Sequence, residues 1–409
     1  MTTERALQPA RADTEPANAL DRWLLRTMMA ALPGAGYEVV LWDGSRAGDR
    51  TGMQVRIFDR AALWTVVRNP ALEFGDLYAA GRIEVDGDLV TFLERTYAAL
   101  DAGRAAHASA WWNFWTDPAP RSRSVGAARD NIQQHYDLGN DFYALWLDQA
   151  SMQYTCAYFP EPGMTLEAAQ RAKMDHVCRK LRLRPGQTVF EAGCGWGGFA
   201  LHMAREYGVR VRAWNISREQ VRHATARARD EGLGDRVTYV EDDYRNIRGD
   251  CDAFVSVGML EHVGPENYRM LGEVIRRCLA PRGLGLIHSI GRNRPELMNG
   301  WIERRIFPGA QPPSLGEMTA IFEPTGLSVL DVENLRLHYA ETLRHWMNRY
   351  LAVFEQVRAT RGSGFARAWQ LYLAGSIAAF NTGSMQLFQV LFAHATNNDL
   401  PASRRDLYQ

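Results

Sequence analysis

Apolar residues in the second half of the chain alternate between two formats, short unbroken runs and runs spaced at three and four residues. The first format reads as buried strands and the second as amphipathic helices. Strands are predicted at Thr188 to Ala192, Val209 to Trp214, Val237 to Glu241, Ala253 to Val257 and Gly285 to Ser289. Helices are predicted at Glu167 to Leu181, Phe199 to Tyr207, Arg218 to Glu231 and Tyr268 to Leu279. Strands alternating with helices imply an α/β fold with a doubly wound, mostly parallel sheet. A Pro-Gly loop follows at Phe307 to Ser314, then a strand from Leu327 to Leu335. Helices at Tyr339 to Arg358 and Gly364 to Phe380 and a last strand at Gln386 to Phe392 complete the pattern.

The first hundred residues read differently. A helix from Leu20 to Leu32 stops at Pro33-Gly34, and Tyr37 to Trp42 and Met53 to Phe58 look like strands around the turn Asp43-Gly44-Ser45. A helix from Arg60 to Arg68 ends before Pro70, Gly75 to Val90 reads as short strands and turns, and Leu89 to Leu100 is a helix. The division expected is a disordered tail over 1–18, a smaller N-terminal α+β domain over 19–110, a linker over 111–128 and a catalytic domain over 129–409. Trp111, Trp112, Phe114 and Trp115 in the linker either pack one domain on the other or anchor at a lipid interface. Arg121, Arg123 and Arg129 are either solvated linker charge or contacts for anionic headgroups.

Composition narrows the function classes. The chain has 409 residues, 46% hydrophobic and 23% charged, with a formal net charge of zero. Such a chain has no global field to attract nucleic acid, and no helix-turn-helix or zinc-finger spacing is visible. Five cysteines, Cys156, Cys178, Cys194, Cys251 and Cys278, are widely separated with no C-x-x-C pair, which argues against a zinc knuckle and a disulfide framework. They read as reduced thiols of a cytoplasmic protein. The N-terminus lacks the apolar core of a signal peptide, and no run reaches the ~18 apolar residues of a membrane span. Leu371 to Phe380 is interrupted by Gly375 and Ser376 and reads as a buried helix. Lysine occurs only at Lys173 and Lys180, so any cationic contact with lipid falls to arginine.

The densest chemistry lies between Val189 and Gly198, where a strand runs into a glycine turn and then a helix. Glycine adopts backbone angles closed to other residues, and the N–H groups at the helix start face whatever sits on the turn. Gly193, Gly195 and Gly198 fit the dinucleotide pattern G-x-G-x-x-G, while Glu191, Gly193, Gly195 and Gly197 fit the acidic pattern of S-adenosylmethionine sites. A dinucleotide site expects a carboxylate at the end of the second strand. That strand runs instead into Asn215-Ile216-Ser217, which weakens a nicotinamide-dependent oxidoreductase as the alternative. Glu191 is placed to accept hydrogen bonds from a methionine α-amino group.

Ordered motifs then carry a family resemblance. Asn131-Ile132-Gln133-Gln134-His135-Tyr136-Asp137-Leu138-Gly139, Met152 to Phe159, Gly193 to Gly198, Gly258-Met259-Leu260-Glu261-His262-Val263-Gly264, Ile287 to Gly291, Phe307-Pro308-Gly309 and Glu333-Asn334-Leu335 with His338-Tyr339 closely resemble cyclopropane-fatty-acyl-phospholipid synthases. Glu73 to Asp76 and Val85 to Leu89 resemble that family's N-terminal domain. The resemblance implies a class I methyltransferase-like sheet and methyl transfer from S-adenosylmethionine to the double bond of an unsaturated acyl chain of a phospholipid. A cyclopropane ring then closes by proton loss. It further implies a bound bicarbonate as base, held by Cys156, Glu261, His288, the main chain at Ile290, and Tyr339. Tyr136, Tyr154 and Thr155 are implied near the cofactor and Gln220 near its ribose; Glu191, Gly193, Gly195, Gly197, Asn215, Asp243 and Tyr244 complete the cofactor-binding set, with no metal. A homodimer, peripherally associated with the inner face of the membrane, is the implied assembly and place.

The residue types suit that chemistry. An alkene is a weak nucleophile, so the donor must be a strong electrophile held in line. The resulting cation needs a dry pocket, and aromatic faces stabilise it by about 0.5 to 2 kcal/mol each. Glu261 is expected beside His288, raising and orienting a charged imidazole. The bland readings are a buried small hydrophobe for Cys156, a helix-start acid for Glu261, a satisfied core histidine for His288 and simple packing for Tyr339. A same-scaffold lipid C-methyltransferase giving a methyl-branched or methylene fatty acid starts from the same cation, so the residues do not separate the two.

Overall fold

The computed structural model of the protein describes residues 14–106 and 138–407. The linker residues 111–128, the arginines Arg121, Arg123 and Arg129, and the motif stretch 131–137 with Tyr136 lie outside the described residues. The chain forms two compact units that do not follow chain order. One comprises 14–106, Asn299–Ile306 and Leu343–Ser384, and the other 138–298, Phe307–Thr342 and 385–407.

In the first unit, strands β1 (Glu38–Leu41), β2 (Arg46–Gly48), β3 (Gln54–Ile57) and β4 (Ile83–Asp86) form a sheet in the order β2-β1-β3-β4. The turn at Asp43 to Ser45 joins β1 to the short antiparallel β2, and β3 pairs parallel to β1. The chain is ordered before Ala19, inside the stretch expected to be a tail. Asn18 closes a capping box with Asp21, and the buried Ala17 donates its N–H to Asp43. Pro70 opens a helix, Pro70–Ala79, that takes the first residues of the stretch expected as strands and turns and leaves β4 as its strand, because the missing N–H of Pro70 is not needed in a first helical turn. The single helix expected over Tyr339 to Arg358 is two, Arg336–Ala352 and Phe354–Arg361. Val353 leaves helical geometry and closes the first on the Tyr350 carbonyl at 3.1 Å. Helix Ser363–Thr382 covers its apolar face against helices Leu89–Ala106 and Pro70–Ala79.

The second unit is built on seven strands: β5 (Thr188–Ala192), β6 (Arg210–Asn215), β7 (Val237–Glu241), β8 (Cys251–Val257), β9 (Leu279–Gly291), β10 (Leu327–Asn334) and β11 (Gln386–His394). Their order is β10-β11-β9-β8-β5-β6-β7, and only β11 runs antiparallel to its neighbours. This is the doubly wound, mostly parallel α/β sheet expected. Alternate residues serve opposite faces. Val189, Val211, Val255, Leu286 and Leu391 pack with helices Leu166–Lys180 and Gly198–Tyr207. Phe190, Phe254, Ile287, Val390 and Phe392 pack with helices Tyr268–Cys278 and Leu315–Phe322. The chain reverses its direction of travel across the sheet at β5, which lies between β6 and β8, and the crevice beyond such a switch point is where open sheets hold ligands.

Gly75 shows why a glycine interrupts an otherwise good helix. A Cβ there would sit 2.3 Å from the indole of Trp301, whose Nε1 donates to Asp76 at 2.9 Å. Gly75→Ala gains helix propensity but drives a methyl into that ring. The net expectation is a loss of about 1–3 kcal/mol, read as a lower urea midpoint; an equal or higher midpoint refutes the packing argument.

Candidate active site

The glycine turn is wound by three left-handed residues. Gly193, Gly195 and Gly197 have φ of +84°, +51° and +79°. Space also demands three of the glycines: a Cβ at Gly193 would lie 2.8 Å from Met259, one at Gly197 2.5 Å from the Tyr239 hydroxyl and one at Gly198 2.1 Å from the Ser151 carbonyl. Among the described residues nothing stands within 4 Å of a Cβ at Gly195. Glu191, two residues upstream on β5, is buried, and its Oε2 has no partner among the described residues. Burial pushes its carboxyl up to about 8, with Lys173 pulling the other way.

Lys173 is the residue around which the predicted groups assemble. It is fully buried on helix Leu166–Lys180, which starts on the Thr165 cap. Its ammonium donates to Gln153 and, at 3.0 Å, to the Thr155 hydroxyl. Burial lowers it to about 8 while Asp148, foremost, holds it up, and it bears electrostatically on His288 as well. Asp148 in turn fastens the loop by accepting from the backbone N–H groups of Ser151 and Gln153, both at 2.7 Å. Neither Lys173 nor Asp148 stood out in the motif reading. The available signal was scarcity: both lysines of the chain, Lys173 and Lys180, are buried on one face of one helix.

The five residues expected around the base are distributed as follows. Glu261 follows β8 and is buried; its Oε1 accepts the Ile290 N–H at 2.7 Å, and its carbonyl accepts from Gln311 at 2.7 Å. Burial raises it to about 7 against the Ile290 and Ser289 hydrogen bonds, and its Oε2 lacks a partner among the described residues. Ile290 has thus committed its N–H to Glu261, and its carbonyl accepts the Ser289 hydroxyl at 2.9 Å. Cys156 donates its thiol to the Ala157 carbonyl at 3.1 Å, and burial holds it well above its ordinary range, so it stays a thiol. Leu335, Tyr339 and Thr342 fall at helical spacing on one face; the Leu335 carbonyl lies 3.9 Å from the Cys156 sulfur, and Thr342 accepts from the Ala157 N–H at 3.0 Å. That face brings the buried Tyr339 toward the Cys156 segment.

His288 departs from expectation. Glu261 is not its partner; Gln389 is, at 3.1 Å from Nδ1. Burial, with Lys173 and Lys180 nearby, lowers His288 well below its ordinary range, so it is a neutral imidazole and not the charged one predicted. Nε2 has no partner among the described residues.

On the cofactor side, Asn215 is used in bracing: Nδ2 donates to the Gly195 carbonyl at 3.2 Å and to Gln220 at 2.8 Å, and Oδ1 accepts from Ser217. Gln220 keeps a buried Nε2 without a partner among the described residues. Asp243 caps its own turn through Arg245, and Tyr244 lies buried beneath the Arg245 guanidinium. A Cβ at Gly258 would lie 2.8 Å from the Thr155 methyl, so Thr155 abuts the strand end that leads to Glu261. Tyr154 belongs to an aromatic cluster with Tyr143, Trp146 and Phe307, at ring separations of 5.4, 5.4 and 6.4 Å. Its assembly from three separate segments explains why the sequence did not reveal it.

Residues 124–390 match the family model described as mycolic acid cyclopropane synthetase. The chain is 36% identical over 406 residues to a probable fatty acid methyltransferase of Pseudomonas putida, covering 93% of this chain and all of that one. It is 40% identical over 293 residues to the cyclopropane-fatty-acyl-phospholipid synthase of Escherichia coli (strain K12), covering 69% and 75% of the two chains. The crystal structure of mycolic acid cyclopropane synthase CmaA1 complexed with SAH and CTAB superposes with a TM-score of 0.61 at 30% identity, over 64% of this chain and 97% of that one.

The raised carboxyl of Glu191 has a measurable sign. Its folded value, about 8, lies above the ordinary 4.5, so the folded state holds a proton that the unfolded state releases as pH rises between the two. Wild-type stability should therefore fall relative to Glu191→Gln between about pH 5 and about pH 8, by up to roughly 1.4 kcal/mol per pH unit. Urea unfolding of both proteins across that range checks it; a constant difference contradicts it.

Proposed function

The chain belongs to the mycolic acid cyclopropane synthetase family and is an S-adenosylmethionine-dependent methyltransferase; we propose that it methylates the double bond of an unsaturated acyl chain on a phospholipid and closes a cyclopropane ring. A bicarbonate ion held by Glu261 and His288 would supply the base for ring closure. The observation that carries this reading is the pair of half-satisfied buried groups, Glu261 Oε2 and His288 Nε2. A small anion bearing a hydroxyl satisfies a carboxylate and an imidazole at once, where a simple carboxylate ligand would repel Glu261.

When bound, S-adenosylmethionine supplies an electrophilic methyl group and bicarbonate supplies the base. The protein's own residues do the rest. Glu191, buried with an open oxygen, receives the α-ammonium of the donor; the Gly193 to Gly197 turn brings backbone close to it; and the Gln220 amide offers a donor to a ribose hydroxyl. Lys173 holds Gln153 and Thr155 in place. Glu261 is fixed by the Ile290 N–H, so its second oxygen orients the hydroxyl of the anion while the Cys156 and Tyr339 side approaches from helix Arg336–Ala352. The rings of Tyr143, Trp146, Tyr154 and Phe307 exclude water and face positive charge developing on the acyl chain. The lipid is met at the cytoplasmic membrane surface by a peripheral homodimer. The phospholipid named in the Escherichia coli relative supports that substrate class.

A second reading is favoured by one observation, the full-length likeness to a probable fatty acid methyltransferase. In it the same cation loses a different proton and the product is methyl-branched or a methylene compound.

Two measurements test the proposal. Lipids extracted from a host expressing the protein should gain fourteen mass units per acyl chain with a ring signature by NMR; the added mass without the ring supports the second reading, and no added mass sinks both. Glu261→Gln should lose turnover by at least about 100-fold while S-adenosylhomocysteine binding is unchanged. Retained turnover removes Glu261 from the site.

A further inference from the structure

Strand register sets three polar residues side by side in the sheet. His288 on β9 stands opposite Gln389 on β11, and Gln389 stands opposite Glu333 on β10. Helix Leu166–Lys180 lays His176 and Lys180, four residues apart, over the same row. Lys180 Nζ donates to Gln389 Oε1 at 2.8 Å and to Glu333 Oε2 at 2.6 Å, and His176 Nε2 meets that same Glu333 oxygen at 2.7 Å. The His176 ring is stacked on Tyr158 with centroids 4.4 Å apart and planes 3° from parallel. His288, Gln389, Lys180 and His176 are all buried, and Glu333 is the partly exposed end of the chain.

The chemistry of each member dictates the next. An ammonium has donors only, so the Gln389 atom facing Lys180 is its carbonyl oxygen. The atom facing His288 is then the amide nitrogen, which also only donates. His288 Nδ1 must accept, so its proton sits on Nε2. Binding a second proton at Nδ1 would set two donors against each other in a buried site.

We propose that Gln389, Lys180 and Glu333, with His176, are positioning residues that lock His288 as the neutral imidazole protonated on Nε2. His288 then presents a fixed N–H to an anion and is barred from being the proton acceptor of the reaction. The proposal deepens the bicarbonate reading and rests on it for the identity of the anion, but the tautomer itself does not. The charged or titratable groups bearing on His288 are Lys173, Lys180 and His176 from the helix and Glu333 from β10. Burial alone would raise Glu333, yet His176 and Lys180 hold it down to about 2, so Glu333 stays ionised across the neutral range.

The test is nitrogen-15 NMR of histidine-labelled protein between about pH 5 and about pH 8. Wild-type His288 should show an unprotonated Nδ1 and a protonated Nε2 throughout. A protonated Nδ1, or titration within that range, overturns the proposal without any variant. Gln389→Glu places an acceptor opposite Nδ1 and should move the proton there, with kcat falling at least about 10-fold and KM for S-adenosylmethionine unchanged. Lys180→Met frees the amide to rotate and should give a mixture of tautomers and a new acid limb in the kcat profile. A Lys180→Met protein with the wild-type tautomer and profile refutes the network. Bicarbonate titration separates the two readings: a shift at Nε2 supports the anion, and no shift with the tautomer intact removes the bicarbonate reading alone.

Discussion

A charge taken out of water must be answered inside the protein, and this chain buries two ammonium groups seven residues apart on one helix. Most of the candidate site is the answer. Lys173 is met by Gln153 and Thr155 with Asp148 and Glu191 in electrostatic reach, and Lys180 by Gln389 and Glu333. A chain that uses arginine almost everywhere else keeps lysine at these two places. The compact ammonium suits them: it fits where a planar guanidinium would not, and burial can lower its pKa.

The two lysines divide the work. Lys173 stands at the switch-point end of the sheet, among the groups proposed to hold the methyl donor. Lys180 stands seven residues on, over the antiparallel strand that flanks β9. Both project from the face that also supplies apolar contacts to the core, so the polar row and the core packing fix each other's geometry.

Neutrality is the common result at the reacting end. Burial keeps the Cys156 thiol protonated, His288 uncharged and Glu261 near the middle of the neutral range. In the proposed reaction, where a cation on a lipid chain meets a small anion, neutral donors and a single poised carboxyl help, because fixed opposite charges would trap one partner or the other.

Much of this was legible in the chain. The period of apolar residues gave the alternating elements of the second unit, with β5 and β7 found at their observed limits, and the glycine and Glu261 motifs marked the strand ends that face the crevice. Local sequence carries that information because strand and helix periodicity, caps and turns are decided by neighbours in the chain. It failed where a residue's state depends on a distant segment. Pro70 ends one helix as read but also starts another that was not, Gly75 was placed among strands and turns and is a helical slot for Trp301, and His288 was assigned Glu261 as partner when its partner lies 101 residues away on β11. Motifs named candidates for the site, though not Lys173, Asp148, Lys180 or Gln389; which lone pair meets which proton, and so which groups stay uncharged, was decided only by strand register and burial, since both are set by contacts between segments far apart in the chain.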